Sequence, residues 1–489
     1  MIWRVLIAAT IAWFSIQPAQ AQSPFADRRS GSTHFLCDKM SLSQALSSNE
    51  AWYRMIRIKR RHGYLPPASQ RAEIERRTRA DTERLTGMLR RYEDDRGALA
   101  LVYGSEIDPG WRRDVPSFVS GDDASPASRI RVAPGQSCVW LVGPDGIRAS
   151  GLASSDWQDA APRLWDGLEV TARSRSPGTV RAPGGDCPVF ADPPMGQEAP
   201  ALQDDSFIAQ TREALEKASS TLIPPAIERH LAMAAGRDTR LMIFTRGNLR
   251  KVPFAALQAG SDLLVEGFVP VIVPSIEALP EKANRTAPGR AELVVGNPDL
   301  SGDRDMCWTP LPAAEREARR VAAVGGTGDA LIGADANRDA VMQRLESGKA
   351  LDLIYLATHG VSDPVDPADG SFLALAGGHL RGADLRDITL EGDPLVVLSA
   401  CQTGLGKDFD DGVFGLPEAW HFAGASRIVM SLWNVDDAGT ETLMAGFVER
   451  LAATGWQDAD LALARAMRTM RSENSDPMIW AAFSFYGRP

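Results

Sequence analysis

Cysteine is scarce in this chain, with five in 489 residues and none in a C-x-x-C pair. Histidine is scarcer at six, and neither H-E-x-x-H nor any paired spacing occurs, so no metal site is expected. Glycine-rich GGTGDALIG (Gly325 to Gly333) lacks the Lys and Ser/Thr of a phosphate-binding loop, and no G-x-S-x-G marks a serine hydrolase. No cofactor is implied. Positive charge is outnumbered, 53 Lys and Arg against 63 Asp and Glu, and the net −10 argues against nucleic acid as a partner. Beyond the first sixteen residues no run is long and apolar enough for a membrane helix, and no fixed-period repeat is evident.

The N-terminus reads differently. Arg4 precedes an apolar run from Val5 to Ile16, followed by Pro18 and the small-residue site Ala19-Gln20-Ala21. This pattern predicts a cleavable secretory signal over residues 1–21, a mature chain from Gln22, and an exported protein, periplasmic or secreted, without a membrane anchor after cleavage. Export permits disulfides. Cys37, Cys138, Cys187 and Cys307 allow two bridges in any of three pairings, with Cys401 left over. A free thiol in an oxidising compartment needs a reason, and reactivity is one.

Three regions follow the signal. Residues 22–135 read as mainly helical, with apolar spacing at Ile74, Leu85, Met88 and Leu89 over 41–97. The basic strings KRRH and RRTR there are interspersed with Glu73, Glu75, Asp81 and Glu83, as expected of a solvated charged helix. Residues 136–200 hold a hairpin candidate, CVWLVGPDGIRASGL with a turn at Asp145-Gly146, and then a Pro/Gly-rich linker. From residue 201 to 489 apolar strands (LMIF, FVPVIVP, ELVVGN, DLIYLA, LVVLSA, RIVMSLW) alternate with helices such as AAEREARRVAAV, NRDAVMQRLESG and GTETLMAGFVERLAATG. Near-continuous apolar strands between helices predict an α/β fold whose mostly parallel sheet is covered on both faces.

In such sheets chemistry sits at the carboxyl ends of strands. DLIYLATHG delivers His359 there and LVVLSACQTG delivers Cys401, 42 residues later. An imidazole is the side chain best suited to take a thiol's proton near neutral pH, and adjacent strands lie about 4.8 Å apart, so the two are a candidate base and nucleophile. The N–H groups of Gly360 and Cys401 are the candidate oxyanion hole. Asp408, Asp410 and Asp411 in KDFDDG are a candidate pocket for a basic substrate side chain. Trp433, Asp436 and Asp437 are placed at the rim of the site, and His421, on an amphipathic helix, reads as structural.

ATHG and SACQTG resemble the dyad segments of the CHAT domain, a caspase-like, clan CD cysteine peptidase domain related to separase and caspases. LMIFTRGNLRKVPFAAL, VVGNPDL, the LPAAEREA helix, GVFGLPEAWHFAGASRIVMSLWNVDD and MIWAAFSFYG are similar to the family's motifs in the same order, over residues 201–489. The resemblance implies a caspase-like fold, with His359 as general base and Cys401 as nucleophile of an endopeptidase acting on protein or peptide substrates. Position 399 is serine, so the specificity pocket that caspases build there does not carry over. A regulatory protein would be received by the N-terminal region. The alternative is a catalytically silent binding or scaffolding protein on the same fold.

Overall fold

A computed structural model describes residues 37–104, 136–154, 179–180, 205–279, 292–361, 370–400 and 415–489, apart from 38, 63–65, 79, 93–96, 237, 246, 327–328 and 434–436. The expected signal over 1–21, nearly all of the linker, Cys187, Cys401, Asp408, Asp410, Asp411 and Asp436 lie outside the described residues. Among those described, no helix is long and apolar enough to cross a membrane.

One sheet of eleven strands organises the chain. Its strands are β1 (Ala98–Tyr103), β2 (Gln136–Gly143), β3 (Gly146–Ser154), β4 (Arg240–Phe244), β5 (Val269–Val273), β6 (Glu292–Pro298), β7 (Leu331–Gly333), β8 (Leu353–Ala357), β9 (Leu395–Ser399), β10 (Arg427–Ser431) and β11 (Phe483–Gly487). They lie in the order β7-β6-β8-β9-β10-β11-β5-β4-β1-β2-β3. Pairing is parallel except at β10 with β11 and along β1, β2 and β3. Every residue of β4, β8, β9 and β10 is buried, as central strands covered on both faces require. All six strands read from the sequence beyond residue 201 are present, so the α/β expectation holds.

Helices cover the faces. In the N-terminal region they are α1 (Lys39–His62), α2 (Ala68–Arg77) and α3 (Thr82–Arg91); Pro66 and Pro67 part the first two where a single helical stretch was expected. Then come α4 (Asp205–Leu222), α5 (Pro225–Ala234), α6 (Pro312–Gly325), α7 (Arg338–Glu346), α8 (Leu416–Ala423), α9 (Asp437–Ala453) and α10 (Ala459–Glu473). Helix α6 shows why these segments stop where they do. Pro312 opens it with a preset φ, and Gly326 closes it at φ 83°, a left-handed conformation that a side chain would strain.

Two features depart from the sequence reading. Strand β1, in GALALVY, lies inside the region read as mainly helical; it pairs in parallel with β4, and β2 and β3 continue outward from it. The residues before 201 therefore share one sheet and one continuous core with those after it, Leu101 and Trp140 packing in the same cluster as Leu241 and Val396. The hairpin turn is Pro144-Asp145 rather than Asp145-Gly146, because Gly143 pairs with Gly146, which sits at φ 131°.

Candidate active site

Strands β6, β8 and β9 are neighbours in register, with Gly296 beside Ala357 and Ala357 beside Ser399. Three loops therefore leave the sheet side by side at its carboxyl edge. The first runs from β6 to α6 and carries Asp303 to Leu311. The second begins with Thr358, His359 and Gly360. The third begins at Ala400, after which the sequence continues to Cys401.

His359 is 1% exposed and tightly held. Its Nε2 lies 2.7 Å from the carbonyl oxygen of Thr309. A carbonyl can only accept, so Nε2 carries the proton and Nδ1 the lone pair of the neutral ring. Trp308 packs against the imidazole, ring centroids 5.0 Å apart and planes inclined at 34°. The His359 carbonyl in turn accepts from the Ala374 N–H (2.9 Å), and the Thr358 hydroxyl donates to the Ala374 carbonyl (2.6 Å). Both sides of the histidine are thereby fixed to the three-stranded meander of Gly360–Val361, Phe372–Leu375 and Gly378–Arg381.

Gly360 enters that meander opposite Leu373. Because Ala374 donates to His359, Gly360 and Leu373 form a pair of the wide type, and the N–H of Gly360 takes no part in the ladder. Its orientation is compatible with an oxyanion donor. On the neighbouring strand the Thr358 N–H donates to the Ser399 carbonyl (3.3 Å), and the Ser431 hydroxyl donates to the Ala400 carbonyl. The backbone is thus anchored up to the residue before the candidate nucleophile.

Other residues singled out from the sequence do different work. His421 sits in α8 with Nδ1 3.1 Å from the Ala425 carbonyl and Nε2 2.9 Å from the Tyr53 hydroxyl. Both ring nitrogens are thus committed to structure, as expected. Asp437 does not line the rim: it is buried and accepts from the Ala313 N–H (2.8 Å), which ties the end of β10 to the start of α6. Trp433 is turned inward as well, its indole N–H donating to the Met478 carbonyl (2.8 Å).

The loop after β6 holds what the sequence reading passed over: Asp303, Trp308 and Thr309. The strand-end rule that selects His359 and Cys401 applies equally to β6 and would have flagged it. Met306–Cys307 in this loop pairs with Thr179–Val180, and Cys307 is disulfide-bonded. A second bridge joins Cys37 to Cys138. Of the three pairings open from the sequence, only the one that begins with Cys37–Cys138 is compatible.

The sequence pattern that defines the CHAT domain matches residues 212–488, more than half of the chain. The chain belongs to the CHAT domain family. Tetratricopeptide repeat protein 28 of Mus musculus is 28% identical to it over 311 residues, 53% of this chain but 12% of that protein. The Homo sapiens protein of the same name is 28% identical over 313 residues, with the same shares. This CHAT domain protein thus spans a small part of the length of the curated relatives it matches. Among solved structures, the Saccharomyces cerevisiae separase-securin complex aligns at a TM-score of 0.47 and 11% identity, over 89% of this chain and 33% of that one. The Arg specific cysteine proteinase gingipain R aligns at 0.36 and 12%, over 56% and 69%.

Proposed function

We propose that this chain is an exported cysteine endopeptidase working through His359 and Cys401. The observation that carries the reading is the state of His359. It stands at the carboxyl end of β8, its Nε2–H donated to the Thr309 carbonyl, beside the strand that leads to the one cysteine left over from the four read as bridge-formers. That hydrogen bond fixes the tautomer in which Nδ1 is basic.

In the reaction, Nδ1 takes the proton of Cys401 as Sγ attacks the substrate carbonyl carbon. The oxyanion is received by the N–H groups of Gly360 and Cys401. The imidazolium then returns its proton to the leaving amine as the C–N bond breaks, leaving a thioester. Water, deprotonated by the same imidazole, hydrolyses the thioester and restores the thiol. Asp408, Asp410 and Asp411 are assigned to the pocket for a basic side chain. The bonded state of Cys37, Cys138 and Cys307 supports export, because such bridges persist in oxidising compartments.

The test is active-site labelling of the chain from Gln22 onward with a peptidyl electrophile carrying Arg or Lys, under mild reductant. Labelling should vanish in Cys401→Ala and slow by roughly a hundredfold or more in His359→Ala. Absence of labelling with Cys401 reduced and the fold intact would overturn the enzyme reading and leave the scaffold. A preference for acidic side chains would remove the role given to the three aspartates.

A further inference from the structure

The loop from Asp303 to Leu311 is built in more detail than a connection from strand to helix requires. The Asp303 carboxylate accepts from three donors: the Trp308 indole N–H at 2.7 Å, the Asp305 N–H at 2.8 Å and the Met306 N–H at 3.1 Å. Trp308 is wedged between two aromatic groups. One is His359; the other is the stack of Phe372 on His379, whose rings are 4.0 Å apart and which Trp308 meets edge-on at 6.4 and 6.3 Å. The far end of the loop is pinned too, because the Leu311 N–H donates to Asn297 (2.9 Å) and the Ala313 N–H to Asp437. The disulfide at Cys307 holds the residue immediately before Trp308.

We propose that Asp303 and Trp308 are positioning residues for His359: Asp303 sets the indole, and the indole sets both the ring plane of His359 and the place of the Thr309 carbonyl that receives its Nε2–H. The inference rests on the dyad reading for its catalytic meaning. Two effects follow from the geometry. The tautomer is locked, since Thr309 is the next residue after Trp308 and cannot move independently of it. The imidazolium that forms when Cys401 loses its proton lies against an indole, whose ring electrons favour the cation. Around Asp303 the charged groups are His379, with Nε2 at 3.6 Å, then Asp305 and Arg381. None of them substitutes for the indole at His359.

Three variants separate positioning from mere structure. Asp303→Asn removes the anionic acceptor at nearly constant shape. Trp308→Phe keeps an aromatic face but loses the N–H to Asp303, and Trp308→Leu loses both. The first readout needs no turnover: in histidine-labelled protein, with only six histidines to assign, the His359 Nε2–H should give a slowly exchanging proton resonance. We expect it to be lost or exchange-broadened in Asp303→Asn and Trp308→Leu, with the His359 pKa lowered by about half a unit or more in Trp308→Leu. The second readout is the pH profile of Cys401 labelling. Its basic limb should move to lower pH in the same order, with kcat falling about tenfold or more while KM changes little.

An unchanged Nε2–H resonance and an unmoved profile in all three variants, folded by near-ultraviolet circular dichroism, would overturn the positioning role. If the resonance responds but wild-type labelling does not depend on His359, the dyad reading fails instead, and with it the catalytic meaning of the device. Should Trp308→Leu fail to fold, Asp303→Asn and Trp308→Phe decide the matter.

Discussion

Removing Arg250 should be among the most damaging single changes away from the dyad. Its guanidinium pairs with Glu418 at 2.7 Å, and the two side chains are 2% and 5% exposed. Arg250 also donates to the Thr245 carbonyl and lies over the Trp52 ring at 4.4 Å, while Glu418 accepts from the Gly415 N–H at the start of α8. Burial pushes the Glu418 carboxyl above its ordinary range, with Arg250 the largest opposing influence. Two charges about 4 Å apart attract by about 4 kcal/mol at an effective dielectric of about 20, and breaking a buried pair costs about 3–5 kcal/mol because the survivor is left uncompensated. Arg250→Met should therefore lose about 3–5 kcal/mol at pH 8 in urea unfolding, read from the midpoint at constant slope. The sign of the pH dependence follows. Without Arg250 the native pKa of Glu418 rises further above its unfolded value, so the native state binds the extra proton and the penalty grows as pH rises from 5 to 8. Arg250→Met with Glu418→Gln removes both charges and should recover most of the loss. A cost below about 1 kcal/mol, or equal costs at pH 5 and pH 8, would refute the reasoning.

Other expectations bear on the frame around the site. The Cys37–Cys138 bridge closes a sequence separation of 101 residues, so Cys37→Ser, or reduction of the wild type, should cost about 2–5 kcal/mol in chemical unfolding; indifference to reductant would count against the bridge. At Gly296 an added Cβ would stand 2.4 Å from the Ala318 Cβ and 2.7 Å from the Ala314 carbonyl, so Gly296→Ala should cost about 1–3 kcal/mol by forcing α6 off the sheet, and a loss under half of that lower figure would show that α6 can shift freely. Burial holds the His379 pKa below its ordinary value, with Asp303 opposing only in part, so the unfolded state binds more protons just below pH 6.5 and stability should rise with pH there. His379→Gln should flatten that segment of a stability profile between pH 5 and 7; an unaltered slope would remove His379 as its cause.

Much of the architecture was legible because its signals are local. A strand buried on both faces must be apolar throughout, and LMIF, DLIYLA, LVVLSA and RIVMSLW carry that mark without reference to the rest of the chain. Strand β1 did not stand out, since ALALVY follows a charged helical stretch and its partner β4 begins 137 residues after Tyr103. The hairpin was visible as alternation, but its turn slipped by one residue because Pro144-Asp145 and Asp145-Gly146 are both plausible turn pairs. In the site, a histidine followed by glycine at a strand end announces itself. A carbonyl does not: Thr309 acts through its backbone, so its identity carries no sign of the role, and only the order of strands in the sheet brings it to a histidine 50 residues away.

That order also explains why the chemistry is concentrated on one short stretch of the sheet edge. β6, β8 and β9 are consecutive and parallel, and their in-register pairing brings Gly296, Ala357 and Ser399 level with one another. Each crossover helix returns the chain to the opposite edge, so whatever follows these strands meets at the carboxyl end without a long loop to close. The base comes from the middle strand and its orienting carbonyl from the strand on one side. On the other side, β9 leads directly to Cys401. A base with one ring nitrogen occupied from the β6 side keeps the other for the β9 side, and a His359 placed on an outer strand could not serve both. The division of roles among three adjacent strand ends is thus a consequence of parallel topology, with the side chains choosing only which chemistry occupies it.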